Sequence, residues 1–384
     1  MSAEPEHLLD GLVAFPTIAG ESNEALVDWV RAQLAASGVA CTVLPSSSRP
    51  DGLNLHAVIG PADEAGIVLS AHTDVVAVEG QRWSRDPFQL TRVEDRLYGR
   101  GTADMKGFVA AVLAVVPYAK AQALRRPLHI ALSCDEELGC LGVGSLLDLL
   151  AASEQRPELC IVGEPTGMRV ADRHKGKVGL RVSVRGRAGH SSAAPLAVNA
   201  VTYAARLITE LDEIGRGLAA ERDESFTVPH ATLSIGPIHG GVSTNIVPDA
   251  CSFEFELRYL PGQDPGSMLG AVRRRASALE EEMRAVAPEA GISLERRAAY
   301  PALGSADPAV ALDVGASASA DAEPIAVDFG TEAGLYHERL GVPVVICGPG
   351  SMTQAHRADE YIELEQLLAA ERFLRGVVDR LCSE

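Results

Sequence analysis

The hydrophobic pattern of the first part of the chain consists of short apolar runs that alternate with longer amphipathic segments. Up to about residue 178, the apolar runs predict strands at 66–72, 127–133 and 159–164, and the amphipathic segments predict helices at 105–122 and 142–153. This alternation is typical of an α/β domain whose sheet is flanked by helices.

The pattern changes at residue 179. From there to about residue 298 the segments read strand, helix, strand, strand, helix, strand, and apolar residues alternate along the first strand at Leu180, Val182 and Val184. Alternation with a period of two predicts a strand that buries one face, and this order of elements is typical of a ferredoxin-like α+β domain. The strand–helix pattern then returns. We therefore expect one domain formed by residues 1–178 and 299–384, with a second domain of residues 179–298 inserted into it.

Composition and charge limit the possible classes of function. The 384 residues suggest two domains, and 47% apolar with 22% charged residues is an ordinary mixture for a globular protein. The chain has a net charge of -18, so nucleic acids and anionic membrane surfaces would repel it. We therefore expect a small-molecule partner, with no nucleic acid and no membrane.

Three features of the sequence indicate that the protein is located in the cytoplasm. The longest apolar run, residues 108–116, is far shorter than the roughly 20 residues that span a bilayer. The acidic N-terminal segment lacks the basic region of a secretory signal. The seven cysteines include no CxxC pair and are expected to be reduced.

Histidines and carboxylates lie beside the predicted strand ends of the first domain: His72 and Asp74 after one strand, Glu136 and Glu137 after a second, Glu164 after a third, His356 after a fourth, and Asp104 before a helix on the same side. Ligands of open α/β sheets bind at the carboxyl ends of the strands, so residues far apart in sequence can converge there. Imidazole and carboxylate groups suit zinc or a similar divalent metal. The sequence therefore predicts a metal site at this edge.

The candidate ligands suffice for two metal ions. If Asp104 bridges both ions, His356 and Glu137 complete one set of three protein ligands. His72 and Glu164 complete the other set. Three protein ligands leave one position for water, as in catalytic zinc sites.

The remaining two carboxylates have separate expected roles. Adjacent residues of extended backbone point in opposite directions, so one of Glu136 and Glu137 can ligate while the other faces the water and acts as general base and acid. Asp74 is expected to hold the second ring nitrogen of His72. Each motif alone is more often a helix cap or a solvated acidic turn. Their occurrence together, each beside a strand end, favours the metal site.

Seven segments resemble the M20 family of dinuclear metallopeptidases and amidohydrolases: SAHTDVV, GRGTADMKG, SCDEELGCLG, IVGEPT, GRAGHSS, NIVPD and CGPGSMTQAH. They cover nearly the whole chain, with a mild departure at Ala103, where relatives often have cysteine. The resemblance implies a zinc-peptidase-like α/β catalytic domain with a mixed central sheet flanked by helices, and an inserted ferredoxin-like lid and dimerisation domain. It also implies two divalent ions per chain, with Glu136 as general acid and base, Asp74 as the support of His72, and five metal ligands: His72, Asp104, Glu137, Glu164 and His356. Zn²⁺ is the expected metal and Co²⁺ is possible, because both accept this ligand set.

Longer segments within the family resemble the subgroup that deacetylates N-acetylornithine in arginine biosynthesis: ELRYLPG, HKGKVGLRVSVRGRAGHSS and DFGTEAGLYHERLGVPVVICGPGS. This implies hydrolysis of N2-acetyl-L-ornithine to L-ornithine and acetate. Alternatives are removal of succinyl from diaminopimelate, cleavage of small peptides or other N-acyl amino acids, and an inactive binding relative. The intact ligand set with Glu136 counts against the inactive relative.

Four further residues are expected to contact substrate. His190 and Asn245 resemble residues that reach the substrate carbonyl, and Arg258 resembles one that binds its carboxylate. A turn or helix-capping His190 and an exposed strand Arg258 are the alternatives. Glu332 is hypothesised to select the cationic amine of the substrate; a helix-start glutamate is the alternative.

The resemblance and the inserted domain together predict a homodimer. A ferredoxin-like insertion leaves an edge strand and a sheet face to be covered, and pairing two lids would cover them. In a twofold dimer each contact is matched by its twin. We therefore expect His190 to act in the active site of the partner subunit.

Overall fold

The computed structural model describes residues 4–61, 63–153, 156–305, 308–318 and 323–383. Its helices are α1 (Pro5–Val13), α2 (Glu24–Ala36), α3 (Gly107–Ala121), α4 (Gly144–Ala152), α5 (Ala200–Gly217), α6 (Pro265–Val286), α7 (Pro308–Ala318), α8 (Ala333–Leu340) and α9 (Leu364–Arg380). Its strands are β1 (Cys41–Pro45), β2 (Leu53–Ile59), β3 (Ile67–His72), β4 (Thr91–Val93), β5 (Arg96–Tyr98), β6 (Leu128–Ser133), β7 (Leu159–Pro165), β8 (Ala171–His174), β9 (Gly176–Arg185), β10 (Gly189–His190), β11 (Thr232–Gly240), β12 (Ile246–Val247), β13 (Ala250–Tyr259), β14 (Gly291–Tyr300), β15 (Ile325–Val327), β16 (Val344–Gly348) and β17 (Tyr361–Glu363).

The chain divides into two compact units. The first contains Met1–Arg173, Leu303–Ala326 and Thr331–Glu384, and the second contains His174–Ala302 and Val327–Gly330. The second unit is longer than the expected insertion of residues 179–298, because β9 already begins at Gly176 and β14 continues to Tyr300. It also includes Val327–Gly330, where Asp328 forms an ion pair of 3.2 Å with Lys175.

The first unit is built on a mixed sheet with the strand order β1-β2-β6-β3-β7-β16-β8-β15 among the described residues. The neighbours β6, β3, β7 and β16 run parallel, while β2 is antiparallel to β1 and β6, and β8 is antiparallel to β16. Every residue of β3, β6, β7 and β16 is buried. Parallel strands covered on both faces read as continuous apolar runs, which explains the pattern in this part of the sequence.

Helix α3 packs in the core of the first unit. Most of its residues are buried, including Phe108, Val112 and Val116. By length and composition the stretch Thr102–Ala121 could cross a membrane, but 89% of its apolar 18-residue window is buried inside the protein. Its apolar character is therefore explained by packing against the sheet and helices α1 and α9.

The second unit is a four-stranded antiparallel sheet with the order β11-β13-β9-β14. The chain order is β9, α5, β11, β13, α6, β14, which is the ferredoxin-like arrangement. Side chains of β9 alternate between buried and more exposed positions. The buried set packs in one core with residues of α5 and α6, so the helices cover one face of this sheet.

The expected fold class is confirmed: a mixed central sheet flanked by helices, with an inserted ferredoxin-like unit. The sequence analysis does not assign β1 and β2, which extend the central sheet on one side, or the small sheet of β17, β5 and β4. Strands β1, β4 and β17 are short and partly exposed, so their apolar periodicity is weak.

Candidate metal centre

The parallel strands bring the candidate ligands of the first unit to one edge of the central sheet. His72 is the last residue of β3, Glu164 lies near the end of β7, and Glu137 follows β6. His356 lies in the segment after β16, and Asp104 lies in the irregular turn Thr102–Lys106 before α3. The strand ends thus position side chains that are distant in sequence, as expected.

Asp104 lies between two histidines. Its Oδ1 is 3.0 Å from Nε2 of His72, and its Oδ2 is 3.1 Å from Nε2 of His356. Oε1 of Glu137 is 3.0 Å from the same His356 nitrogen, and Oε1 of Glu164 is 3.9 Å from Nε2 of His72. The five side chains therefore form two sets that share Asp104.

Electrostatics favour cations at this place. Burial opposes ionisation of Asp104, but hydrogen bonds from His356 and His72 outweigh it and hold its pKa below the usual range. Burial, together with Asp104 and Glu136, raises the pKa of Glu164 well above its usual value. Burial and Asp104 likewise raise the pKa of Glu137.

The donor set fits divalent metal ions. Within the described ranges, none of Asp104, Glu137 and Glu164 forms an ion pair with a lysine or arginine. Buried carboxylates are stable when they are paired or coordinate metals. Imidazole nitrogens and carboxylate oxygens at this spacing are ligands that zinc accepts.

The acidic run 135–137 is held by separate contacts for each residue. Asp135 accepts hydrogen bonds from Ser48 Oγ at 2.6 Å and Arg49 Nε at 2.9 Å, so its charge is compensated away from the two glutamates. The carboxylate of Asp74 accepts the backbone N–H groups of Glu136 and Glu137 at 3.2 and 3.1 Å. These contacts fix the backbone from which both glutamates project.

Asp74 contacts His72 in a different way from the expected one. The Nδ1 atom of His72 lies 3.0 Å from the backbone carbonyl oxygen of Asp74, whereas the Asp74 carboxylate is 3.6 Å away. The main chain of Asp74 therefore orients the imidazole ring of His72. The Asp74 carboxylate instead accepts hydrogen bonds from the backbone of Glu136 and Glu137. Both contacts position site residues.

Glu136 is buried beside a thiol that the sequence analysis missed. Burial raises the pKa of Glu136 to about 8. Its Oε1 lies 3.2 Å from Sγ of Cys140, which can donate a hydrogen bond. The turn between them is closed by the Cys140 N–H donating to the Glu136 carbonyl oxygen at 2.7 Å. The sequence signal is only a cysteine four residues after the glutamate.

Distances alone do not separate the roles of Glu136 and Glu137. Ligand atoms of His72, Glu136 and Glu164 lie within 4.8 Å of one another, and so do those of His72, Asp104 and Glu137. Only Glu137, however, contacts His356. This contact favours Glu137 as the glutamate of the His356 set.

Glu332 is buried beside strand β3, and its hypothesised selection of the substrate amine stays a prediction. The residue is only 1% exposed, and its Oε2 lies 3.4 Å from Oγ of Ser70 in the middle of β3. Burial raises its pKa to about 7. Its side chain makes no capping hydrogen bond to α8 either. Its contact with Ser70, 262 residues away in the sequence, cannot be predicted from the local pattern.

His190, Asn245 and Arg258 belong to the second unit. His190 and Ile246 pair on strands β10 and β12, so His190 and Asn245 are close, and both are exposed. Nδ1 of His190 accepts a hydrogen bond from the Ser192 N–H at 3.2 Å and so caps the following turn. Arg258 donates to Glu256 at 3.0 Å and to the Tyr300 hydroxyl at 3.0 Å.

Comparison with known proteins agrees with this geometry. Residues 68–380 match the model of the peptidase family M20/M25/M40. Acetylornithine deacetylase of Klebsiella pneumoniae (strain 342) is 31% identical over 379 residues, which are 97% of this chain and 96% of that protein.

Solved structures share the fold. An M20 family metallo-carboxypeptidase from Sulfolobus solfataricus superposes with a TM-score of 0.80 at 18% identity over 99% of each chain. A dinuclear metal-binding peptidase of the M20 family from Bacillus subtilis has a TM-score of 0.66 at 14% identity, over 97% of this chain and 96% of that one. Family match, fold and buried donor set agree. The chain therefore belongs to the M20 peptidase family and is a metal-dependent amide hydrolase.

Proposed function

We propose that the protein hydrolyses an N-acyl amino acid, with N2-acetyl-L-ornithine as substrate and L-ornithine and acetate as products. The observation that carries the proposal is the position of Asp104, whose two oxygens lie 3.0 and 3.1 Å from two different histidines. A carboxylate in this position suits a bridge between two metal ions. The name of the Klebsiella relative supports the choice of substrate. A place in arginine biosynthesis and a cytoplasmic location are part of the same proposal.

Five side chains would hold two divalent ions in this proposal. His72 and Glu164 would hold one ion, His356 and Glu137 would hold the other, and Asp104 would serve both. Zn²⁺ is the expected metal and Co²⁺ an accepted substitute, because both bind imidazole and carboxylate ligands. When bound, such ions polarise an amide carbonyl and make a water molecule more acidic.

Glu136 is the proposed general base and acid. Its buried carboxyl group, with a pKa raised to about 8, can hold or release a proton near neutral pH. The Cys140 thiol orients Oε1, and the Asp74 carboxylate holds the Glu136 backbone. Glu136 would take a proton from water during attack on the amide and give it to the departing amine.

His190 and Asn245 are proposed to contact the amide carbonyl, and Arg258 the α-carboxylate of the substrate. Their support is the exposed position of His190 and Asn245 on one pair of strands and the cationic guanidinium of Arg258 on the sheet of the second unit. All three give the hydrogen-bond donors that carbonyl and carboxylate oxygens need.

We propose a homodimer formed through the second unit, in which His190 serves the partner's site. Strands β11 and β14 form the two edges of its sheet, and edges favour pairing with a second copy. Mixing inactive His190→Ala chains with inactive Glu136→Gln chains tests this, because one site of each mixed dimer would combine both intact residues. Recovered activity supports action in trans. No recovery in verified mixed dimers overturns it.

Kinetics on a panel of substrates tests the reaction. We expect the highest kcat/KM for N2-acetyl-L-ornithine, compared with N-succinyl-diaminopimelate, other N-acetyl amino acids and dipeptides. Activity should disappear with a chelator and return with Zn²⁺ or Co²⁺. A higher kcat/KM for another class would reassign the substrate, and no turnover of any of them by metal-loaded protein would favour a binding protein.

A further inference from the structure

A buried ion pair lies beside the candidate metal centre and is not explained by the proposed reaction. Nη1 of Arg100 donates to Oε2 of Glu360 at 2.6 Å, and both side chains are 1% exposed. Burying a charged pair is costly, and replacing such a pair by apolar residues is often neutral for stability. Stability alone is therefore a weak reason for its presence, and its other contacts indicate a different use.

The glutamate of this pair holds the backbone of the shared ligand. Oε1 of Glu360 accepts the N–H of Ala103 at 2.9 Å and the N–H of Asp104 at 3.2 Å. Two hydrogen bonds from consecutive peptides to one charged oxygen are strong contacts, and they restrict rotation of the main chain at Asp104.

The arginine of the pair leads to the segment that carries His356. Nη2 of Arg100 donates to Oε1 of Gln81 at 2.5 Å, and Nε2 of Gln81 donates to the backbone carbonyl oxygen of His356 at 3.1 Å. Nη1 of Arg100 also lies 3.4 Å from the carbonyl oxygen of Arg357. The same guanidinium group thus connects the Asp104 turn with the His356 segment.

We propose that Arg100, Glu360 and Gln81 form a positioning clasp that sets the separation of Asp104 and His356, and thereby the affinity for the ion that these two residues share with Glu137. This inference rests on the proposed two-metal centre. The ring nitrogen of His356 and Oδ2 of Asp104 lie 3.1 Å apart although the residues come from distant segments, and the clasp is the set of contacts that links their backbones.

The clasp acts mainly on one of the two sets of ligands. His72 and Glu164 lie on β3 and β7, which pair with each other in the central sheet. Ladder hydrogen bonds therefore hold their backbones. His356 is 43% exposed at its side chain and lies in no helix or strand, so it depends more on such contacts. Loss of contacts that orient metal ligands typically costs about 10–100-fold in metal affinity.

Gln81→Glu is the informative variant, because it keeps the shape and the oxygen that accepts from Arg100 but lacks the N–H that donates to His356. We expect the dissociation constant of one of the two ions to rise about 10–100-fold, while that of the other stays unchanged. The added negative charge would by itself attract cations, so weaker binding of an ion cannot result from direct attraction between this charge and the metal.

Gln89→Glu is the matched control. Gln89 is exposed in the same part of the chain, and the change adds the same charge. Both variants and the parent are freed of metal and titrated with Zn²⁺ in a calorimeter, and their melting temperatures are compared without metal. The control should bind both ions as the parent does.

A double-mutant cycle with His356→Ala completes the test. If the clasp acts through His356, Gln81→Glu should have no further effect on the single ion that the His356→Ala protein keeps. If the parent binds two ions and Gln81→Glu binds them with the same dissociation constants, the clasp proposal is wrong but the proposed metal centre is not contradicted. Equal weakening of both ions, together with a lower melting temperature, would show a merely structural role and also overturn it. Fewer than two ions in the parent would instead contradict the proposed centre itself.

Discussion

Strand β7 of the central sheet and strand β9 of the second unit bury their side chains differently. All residues of β7 are buried, whereas β9 alternates buried and more exposed positions. The charges follow the same division. Carboxylates at the ends of the central strands, such as Asp104 and Glu164, are buried among histidines, while Glu256 of the second unit pairs with Lys177 at 3.1 Å and with Arg258. The buried carboxylates of the metal centre thus contact histidines, whereas Glu256 contacts a lysine and an arginine of its own sheet.

The largest expected effect is a loss of metal and activity that distinguishes two buried carboxylates of the first unit, Glu136 and Glu137. Glu137→Gln should lose metal and with it all activity, because it removes a proposed ligand. Glu136→Gln should keep both ions and lose about 10²–10⁴-fold in kcat, the usual worth of general acid–base catalysis. Elemental analysis and steady-state kinetics measure both. Glu254→Gln, on the second sheet, should keep its metal content. Near-parental turnover of Glu136→Gln would exclude it as the proton carrier.

Two aspartate substitutions on β9 and two on β7 test directly whether one face or both faces of each strand are buried. Val182→Asp should destabilise the protein by several kcal/mol, roughly 4 or more, because it buries a charge without a partner. The neighbouring Ser183→Asp should change stability by less than about 1 kcal/mol, since Ser183 is exposed. On β7, both Ile161→Asp and Val162→Asp should be as damaging as Val182→Asp. Denaturant unfolding measures all four, and a tolerated Val162→Asp would contradict the two-sided burial of β7.

A histidine pair in the central sheet should make stability depend on pH. Nε2 of His56 on β2 lies 3.1 Å from Nδ1 of His129 on β6, and burial lowers the pKa of each to about 4. The unfolded chain takes up these protons near pH 6.5, before the folded protein does. The pair therefore lowers stability as pH falls from about 6.5 to about 4, by up to about 3 kcal/mol for each histidine.

Replacing one histidine should remove part of this dependence. The stability of His129→Gln relative to the parent should improve as the pH is lowered from 7 to 5, measured by denaturant midpoints. His7→Gln, which changes an exposed histidine, serves as the control. A constant difference between His129→Gln and the parent at both pH values would show that the pair does not titrate in this way.

The smallest effect is expected for an ion pair of the second unit. Arg206 contacts Glu282 with two N–H···O distances of 2.6 and 2.9 Å, but the side chains are 39% and 47% exposed. Exposed pairs contribute about 0–1 kcal/mol and are screened by salt. A double-mutant cycle with alanine at both positions should give a coupling below about 1 kcal/mol that decreases at high salt. A coupling of several kcal/mol would mean that charges of this unit matter as much as those of the central sheet.

Much of the architecture and most of the candidate site follow from local sequence patterns. Alternation at Leu180, Val182 and Val184 predicts a strand with one buried face, and the structure buries all three. Apolar runs that end in His72 or Glu164 predict polar groups at strand ends, and parallel pairing brings those ends together. These features can be predicted because they depend on the side-chain period of a strand and on the geometry of parallel sheets.

Tertiary structure decided the features that depend on contacts between distant segments. Whether the Asp74 carboxylate contacts His72 or the backbone of Glu136 depends on where β6 ends beside β3. Glu332 stands at the start of a helix in the sequence, but the fold buries it against Ser70, 262 residues away. Arg100 and Glu360 are 260 residues apart and meet only in the folded chain. Local patterns determine which face of an element is buried, whereas the partner of a buried charge is set by packing of segments that the sequence does not place side by side.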